Sequence, residues 1–415
     1  MRHNFLSPYV LYSGEEKLRL GEEDDEAIYL VDKLLFQAVK IGASDIHFEP
    51  EESGARVRYR IDGTLYEMDH LASDLISSVI VRMKILANMD ITETRRPQDG
   101  KVQIKYYPSV EDLSFLVDLR LSTYPSLYGE KVVVRILKKK EDFLSLDKLG
   151  MQPQVLSQLL KIIERENGFF LVTGPTGSGK TTTLYAILSH LNKAEKNIMT
   201  MEDPVEYRIK GVTQGQINRR IGFEFKDGLR AILRQDPDII MVGEIRDKET
   251  CRISLESALT GQMVLSTLHT KNSVGVISRL FDMGIESFLL NATLSAVLAQ
   301  RLLRLLCPYC KKKVSLTDDE KMKLKEKYGF TLNYSYVPEG CKKCFNLGYR
   351  GRIGIFELLE IDEELRDLIR SKSFSVEELI KLAKVKGMLL MKEDAFLKIQ
   401  AGLVSLVDFL NLDVD

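Results

Sequence analysis

The sequence predicts an α/β fold: a mostly parallel sheet flanked by helices, with an α+β unit before it, a cysteine-rich insertion and a helical tail. Three observations predict it. Between Gly168 and Thr267 short apolar runs alternate with amphipathic stretches, the pattern of strand–helix repeats. The first apolar run empties into a glycine-rich turn at Gly174–Thr181. Four of the five cysteines fall into two CxxC pairs, Cys307/Cys310 and Cys341/Cys344.

A chain of 415 residues is too long for one ordinary domain. The expected divisions are a leader over 1–24, an α+β domain over 25–140 and a linker over 141–150. The core follows over 151–300, the cysteine-rich subdomain over 301–350 and a helical part over 351–415. Hydrophobic residues make up 44% and charged residues 29%, as in ordinary soluble proteins. Lys plus Arg (59) balance Asp plus Glu (60), which argues against a general nucleic-acid binder and leaves room only for a local patch. No apolar run approaches the ~20 residues of a membrane span. Met1–Pro8 lacks the apolar core of a signal peptide, so a cytoplasmic location is expected.

Taken in order, the leader ends in the acidic run Glu22–Glu26. Ala27–Ile41 carries apolar residues at Ile28, Val31, Leu34, Leu35 and Ala38, one face of a helix. Ala55–Ile61 alternates strictly, with Val57, Tyr59 and Ile61 on one face and three arginines on the other; Asp62-Gly63 is a hairpin turn. A helix over about Leu71–Met89 and strands over Ser114–Ser122 and Glu130–Leu137 complete this unit, and Lys138–Asp142 marks the linker. After a helix near Pro153, strands are expected at Gly168–Thr173, Asn197–Met201, Asp238–Val242 and Met263–Thr267. Helices are expected at Thr182–His190, Phe225–Arg234 and Glu249–Leu259, and capping boxes at Ser375/Glu378 and Ser405/Asp408.

The turn Gly174-Pro175-Thr176-Gly177-Ser178-Gly179-Lys180-Thr181 fits G-x-x-x-x-G-K-[ST], a phosphate-binding P-loop, with a strand before it and a helix from Thr182 after it. Glycines let the backbone N–H groups close on a polyphosphate at a helix N-terminus. Lys180 can reach the terminal phosphates, and the Thr181 hydroxyl can join a Mg²⁺ shell. The chain is expected to bind a nucleoside triphosphate. Asp236–Glu244 is an apolar strand ending in a carboxylate, so Glu244 is the candidate acid beside Mg²⁺, with Gly243 allowing close approach. A strand-end turn residue is the plainer alternative. Glu202 could polarise the attacking water, although Asp203-Pro204 reads equally as a turn opener. Arg120, Arg135, Arg230, Arg234 and Arg246 could supply positive charge, but single arginines are usually solvated. His269 could sense the γ-phosphate; on residue type alone a structural histidine is favoured. Four thiolates in two CxxC pairs suit tetrahedral Zn²⁺ in a structural site, and a reducing compartment favours metal over disulfide. Cys251 stands alone and is expected in the core.

These residues resemble the secretion ATPases of type II secretion and type IV pilus assembly, over nearly everything from Ala27 onward. Ala43–Pro50, Arg96–Gly100 and Leu121–Lys131 resemble the family's second N-terminal, PAS-like domain. Met201–Tyr207 is similar to its Asp box, Asp236–Asp247 to its Walker B segment and Gly261–Thr270 to its His box. Gln300–Cys310, Gly340–Cys344 and Gly348–Glu357 resemble its zinc-binding stretch. The resemblance implies a RecA-like ATPase core using ATP, Mg²⁺ and structural Zn²⁺. It implies Glu202 as catalytic acid or base, Glu244 as the Walker B acid, and His269 as nucleotide sensor. Arg120 and Arg135 are then expected to reach the γ-phosphate from the N-terminal domain, with Arg230 and Arg234 in support.

It further implies a homo-hexameric motor that acts with platform and docking proteins on the cytoplasmic face of the inner membrane, its own membrane contact indirect. The tetracysteine stretch favours secretion or pilus extension over retraction. DNA-uptake competence, or a nucleic-acid translocating motor on the same core, is the alternative; a non-hydrolysing scaffold is a third reading. Two departures are noted. The longer N-terminal docking domain of many relatives is expected to be missing, and Gln262 stands where relatives often carry a histidine, so a tuned site is expected.

Overall fold

The computed structural model describes residues 9–11, 25–106, 115–138, 145–371 and 375–412. It divides into two compact units, Met1–Lys140 and Glu141–Asp415. The polar leader lies outside the described residues except for one short strand, and the expected linker lies outside them from residue 139 to 144.

The first unit contains β1 (Tyr9–Leu11), α1 (Asp25–Ile41), β2 (Asp45–Glu51), β3 (Gly54–Ile61), β4 (Thr64–Leu71), α2 (Ser73–Leu86), β5 (Gln98–Tyr106), β6 (Phe115–Ser126) and β7 (Gly129–Lys138). Its sheet runs β1-β5-β6-β7-β2-β3-β4, antiparallel except where β1 pairs with β5. The alternation in β3 buries Val57, Tyr59 and Ile61, and Tyr59 donates its hydroxyl to the Leu34 carbonyl at 2.7 Å, tying the sheet to α1. The opposite face is charged. Arg58 and Lys131 both donate to Glu49, at 2.7 Å each; burial would raise that carboxyl, but these hydrogen bonds hold it down at about 2. Register sets Arg120 directly opposite Arg135, with Lys101 on its other side and Asp45 beyond Arg135. Arg135 Nε lies 3.0 Å from Asp45 Oδ1.

In the second unit, α3 (Pro153–Ile163) leads to β8 (Gly168–Thr173), α4 (Lys180–Leu191), β9 (Ile198–Glu202), β10 (Thr213–Gln216), α5 (Phe225–Ile232), β11 (Ile239–Val242), α6 (Lys248–Leu259) and β12 (Met263–Leu268). Then come α7 (Gly275–Asp282), α8 (Ser287–Thr293), β13 (Leu294–Leu306), β14 (Lys312–Ser315), α9 (Asp318–Tyr328), β15 (Tyr334–Val337) and β16 (Tyr349–Glu360). Four helices close the chain: α10 (Glu363–Ser371), α11 (Val376–Val385), α12 (Met391–Gln400) and α13 (Leu406–Leu410).

The sheet order is β10-β9-β11-β12-β8-β13-β16, parallel but for the antiparallel edge strand β16. Strands β8, β11 and β12 are buried at every position, because helices cover both faces. Two apolar layers result, one including Leu171, Val242 and Leu255, the other including Val172, Ile187 and Leu265. The sequence expectation missed β13, reading the region after Gln300 only as an interruption. A third cluster joins the insertion to the tail: Leu316, Leu324 and Leu332 pack with Ala395, Ile399, Leu406 and Phe409. The capping box at Ser375/Glu378 is complete; at Ser405/Asp408 the Asp408 N–H donates to Ser405 Oγ at 3.1 Å, while the Asp408 carboxylate pairs with Arg304.

Candidate nucleotide and metal sites

The glycine-rich turn leaves β8 at the C-terminal edge of the parallel strands, where such sheets place ligand sites. Gly174 cannot carry a side chain, since a Cβ would stand 2.5 Å from the Gln300 carbonyl oxygen and from Ser178 Oγ. Gly179 precedes α4 with φ of 90°, a left-handed conformation that glycine adopts freely. Lys180 Nζ donates to the carbonyls of Gly174 (2.8 Å) and Pro175 (3.0 Å), spanning the turn from within. Burial pulls this amine down to about 8, with Glu244 opposing the shift and Arg301 adding to it.

A cavity of about 410 Å³ opens over the turn. Thr176, Gly177, Ser178, Gly179, Lys180, Thr181 and Thr182 line one wall. Glu202 from the end of β9, Glu244 after β11 and His269 after β12 line the other, so adjacent parallel strands deliver three polar side chains to one rim. At Gly243 a Cβ would lie 3.3 Å from the Met201 carbonyl oxygen, so a glycine here lets the end of β11 lie close against β9. Glu244 pairs with Arg246 and lies 3.7 Å from His269 Nε2. Burial first, and then the Lys180 charge, lower the His269 pKa and favour its neutral ring.

Glu202 is 3% exposed, and both of its carboxylate oxygens are hydrogen-bonded. Its Oε1 accepts from Thr200 (2.6 Å) and Gln214 (3.1 Å), and its Oε2 from the Tyr185 hydroxyl. Burial and then the Glu202 carboxylate push the Tyr185 phenol up, so it stays a donor. Nothing in the motif spacing pointed to Tyr185, Thr200 or Gln214 as this carboxylate's partners.

Arg230 and Arg234 do not line the cavity. Arg230 pairs with Glu249 at 2.7 Å from the last turn of α5, and Arg234, just beyond that helix, donates to the Arg230 carbonyl at 2.9 Å; both are exposed. Arg120 and Arg135 belong to the first unit. Gln262 precedes β12 and accepts from Thr260 at 2.9 Å, at the far end of that strand from His269; this placement overturns the expectation that it tunes the site. Strand β13 supplies two residues not assigned to this site from sequence. Gln300 bonds the turn from beneath, and Arg301 donates to the Lys271 carbonyl at 2.8 Å, in the loop that follows His269.

Beyond β13 the chain enters Cys307, and it returns to β16 just after Cys344. The Sγ atoms of Cys307, Cys310, Cys341 and Cys344 all lie within 4.8 Å of one another. Three measured separations are 3.7, 3.8 and 3.9 Å. Sulfurs bound tetrahedrally at ~2.3 Å from one zinc ion stand roughly 3.8 Å apart, so the donor set fits that ion. Burial raises the Cys344 thiol, but N–H groups of Cys341 and Gly348, each 3.2 Å from its sulfur, outweigh this and bring it to about 7. Cys251 is buried in the core.

A parallel sheet carrying a P-loop, with carboxylates at the ends of neighbouring strands facing it, defines a P-loop ATPase. The chain belongs to the Type II/IV secretion system protein family, whose model matches residues 21–411. It is 46% identical over 387 residues to the type II secretion system protein E of Dickeya dadantii, covering 93% of this chain and 75% of that one. It is 44% identical over 395 residues to the type IV pilus assembly ATPase PilB of Myxococcus xanthus, covering 94% and 68%. Among solved structures, the pilus retraction motor PilT with bound ADP matches with a TM-score of 0.58 at 26% identity, over 91% of this chain and 94% of that one. The ATPase DotB of Yersinia pseudotuberculosis shares the fold, with a TM-score of 0.69 at 20% identity over 97% of both chains. Among the described residues no helix is long and apolar enough to cross a membrane.

Proposed function

We propose that this chain is a hexameric, Mg²⁺-dependent ATP-hydrolysing motor. It powers assembly of a type II secretion pseudopilus or a type IV pilus from the cytoplasmic face of the inner membrane, through platform and docking proteins. The observation that carries this reading is the convergence of the P-loop, Glu202, Glu244 and His269 on one cavity in a chain of this family.

The backbone N–H groups of Gly177–Thr181 and the Lys180 ammonium hold the β- and γ-phosphates. Thr181 and Glu244 would hold Mg²⁺, which when bound would supply charge neutralisation at the phosphates. Glu202, fixed by three hydrogen bonds, orients the attacking water and accepts its proton. His269, paired to Glu244, reports the γ-phosphate to the loop that follows β12. Arg120 and Arg135, side by side on β6 and β7, are the proposed source of further positive charge for the γ-phosphate. The tetracysteine cluster holds one Zn²⁺ per chain as a structural element.

Steady-state turnover and native mass of wild type and Lys180→Ala test the reading together. Turnover should fall at least about 100-fold with the fold intact, because a phosphate-stabilising charge is lost. Wild type should run as a hexamer and be indifferent to added DNA. Near-normal turnover in Lys180→Ala would sink the assignment, and stimulation by DNA would favour a translocating motor.

A further inference from the structure

Strand β13 outruns its parallel partner. Its last paired residue on β8 is Ala299, opposite Thr173, where β8 gives way to the glycine-rich turn. Gln300, the next residue, therefore lies directly beneath that turn, and it is 1% exposed. Its Nε2 donates to the Ser178 carbonyl at 2.7 Å, and its Oε1 accepts from Thr183 Oγ1 at 2.8 Å. The turn is packed down on the same residue. A Cβ at Gly174 would meet the Gln300 carbonyl oxygen at 2.5 Å, and one at Gly179 would meet Nε2 at 3.1 Å.

The Ser178 carbonyl shares its peptide plane with the Gly179 N–H, and in a trans peptide the two point in opposite directions. Holding that carbonyl down toward β13 turns the Gly179 N–H up, toward the mouth where phosphate oxygens would bind. We propose that Gln300 is a positioning residue of the phosphate site: its amide donor aims the Gly179 N–H into the cradle. The inference rests on the nucleotide reading above. It takes Gln300 out of the metal-binding stretch to which the sequence resemblance assigned it.

The test compares Gln300→Glu, Gln300→Leu and Thr183→Val with Lys180→Ala, reading KM and kcat for MgATP and thermal unfolding. Gln300→Glu keeps the shape and the acceptor for Thr183, but offers a donor only when its carboxyl is protonated. Its KM relative to wild type at the same pH should be near one at pH 5.5 and rise to about ten by pH 7.5, a ratio in which the titration of Lys180, His269 and the nucleotide itself, common to both proteins, cancels. Gln300→Leu should raise KM about tenfold at every pH, with kcat within a factor of three. Thr183→Val removes only the other arm and should leave KM within twofold.

A pH-independent ratio of the Gln300→Glu KM to that of wild type, together with a wild-type KM in Gln300→Leu, overturns the proposal. So does an equal rise in Thr183→Val, which would make Gln300 an anchor for α4. If Gln300→Leu does not fold, the pH profile of Gln300→Glu decides alone. Lys180→Ala separates the two layers: full activity there removes the nucleotide reading itself, whereas its loss beside unaffected Gln300 variants removes only this inference.

Discussion

The phosphate cradle and the tetracysteine cluster both curve around a charged guest, yet they are made from opposite materials. The cradle is backbone: N–H groups turned one way by glycine conformations and by hydrogen bonds to Gln300. The cluster is side chain: four sulfurs from two short loops, with separations near 3.8 Å. Amides in the cradle carry only partial charges and repel one another weakly, and the sheet beneath fixes their direction. Four ionised thiolates so close together do repel and need a cation between them. A backbone site of this kind is preformed, whereas a side-chain site of this kind is completed by its ligand.

Metal removal should produce the largest effect and fall on the cluster alone. Structural zinc commonly contributes about 10 kcal/mol or more of folding free energy. Chelation, or Cys341→Ser, should release about one zinc per chain and lower the melting temperature of the second unit, followed by calorimetry and metal analysis. Affinity for ATP should change less than tenfold. Equal loss of ATP binding would break the contrast, making the cradle as ligand-dependent as the cluster.

Next in size, Glu202→Gln should cut kcat by roughly 10²–10⁴ while ATP affinity stays within a few-fold, since the carboxylate acts on water and not on the cradle. Single-turnover kinetics beside a binding titration would separate the two, and a loss confined to binding would refute the role.

The smallest effect is in pH. Phosphate binding favours charged Lys180, whose pKa lies at about 8, so the affinity that this amine provides is present below pH 8 and lost above it. Affinity for ATP should weaken by at most about tenfold per pH unit above that value, with proton uptake on binding. Titration calorimetry in two buffers between pH 7 and 9.5 would measure both. A flat profile would mean that backbone N–H groups carry the binding, sharpening the contrast further.

The same contrast explains what could be read from sequence. The cradle was legible because G-x-x-x-x-G-K-T encodes a backbone shape, and the cluster because CxxC encodes ligand spacing. The parallel core was legible from the alternation of Phe169–Val172, Ile239–Val242 and Val264–Leu268 with amphipathic helices. Strand β13 was not. Leu294–Leu306 is apolar at most positions, so the helical and extended periods fit it equally, and Gln300 and Arg301 were lost with it. The partners of Glu202 were hidden for another reason. Tyr185 sits on α4 and Gln214 on β10, and only the stacking of helix on sheet brings them to one carboxylate. Arg230 and Arg234 show the converse, since nearness in sequence to an acidic strand did not bring them to the cavity.

The apolar cluster that unites Leu316, Leu324 and Leu332 with Ala395, Ile399, Leu406 and Phe409 sets an order on biosynthesis. A ribosome delivers all four cysteines before any residue of α12 or α13 exists. Until those helices emerge, the insertion has half a core, and its leucines face water or a chaperone. In that interval the pairing of β14 with β15 is what the insertion's own backbone supplies. Truncation after α11 would therefore be harsher than its distance from the nucleotide suggests, leaving the nascent insertion permanently without its second half.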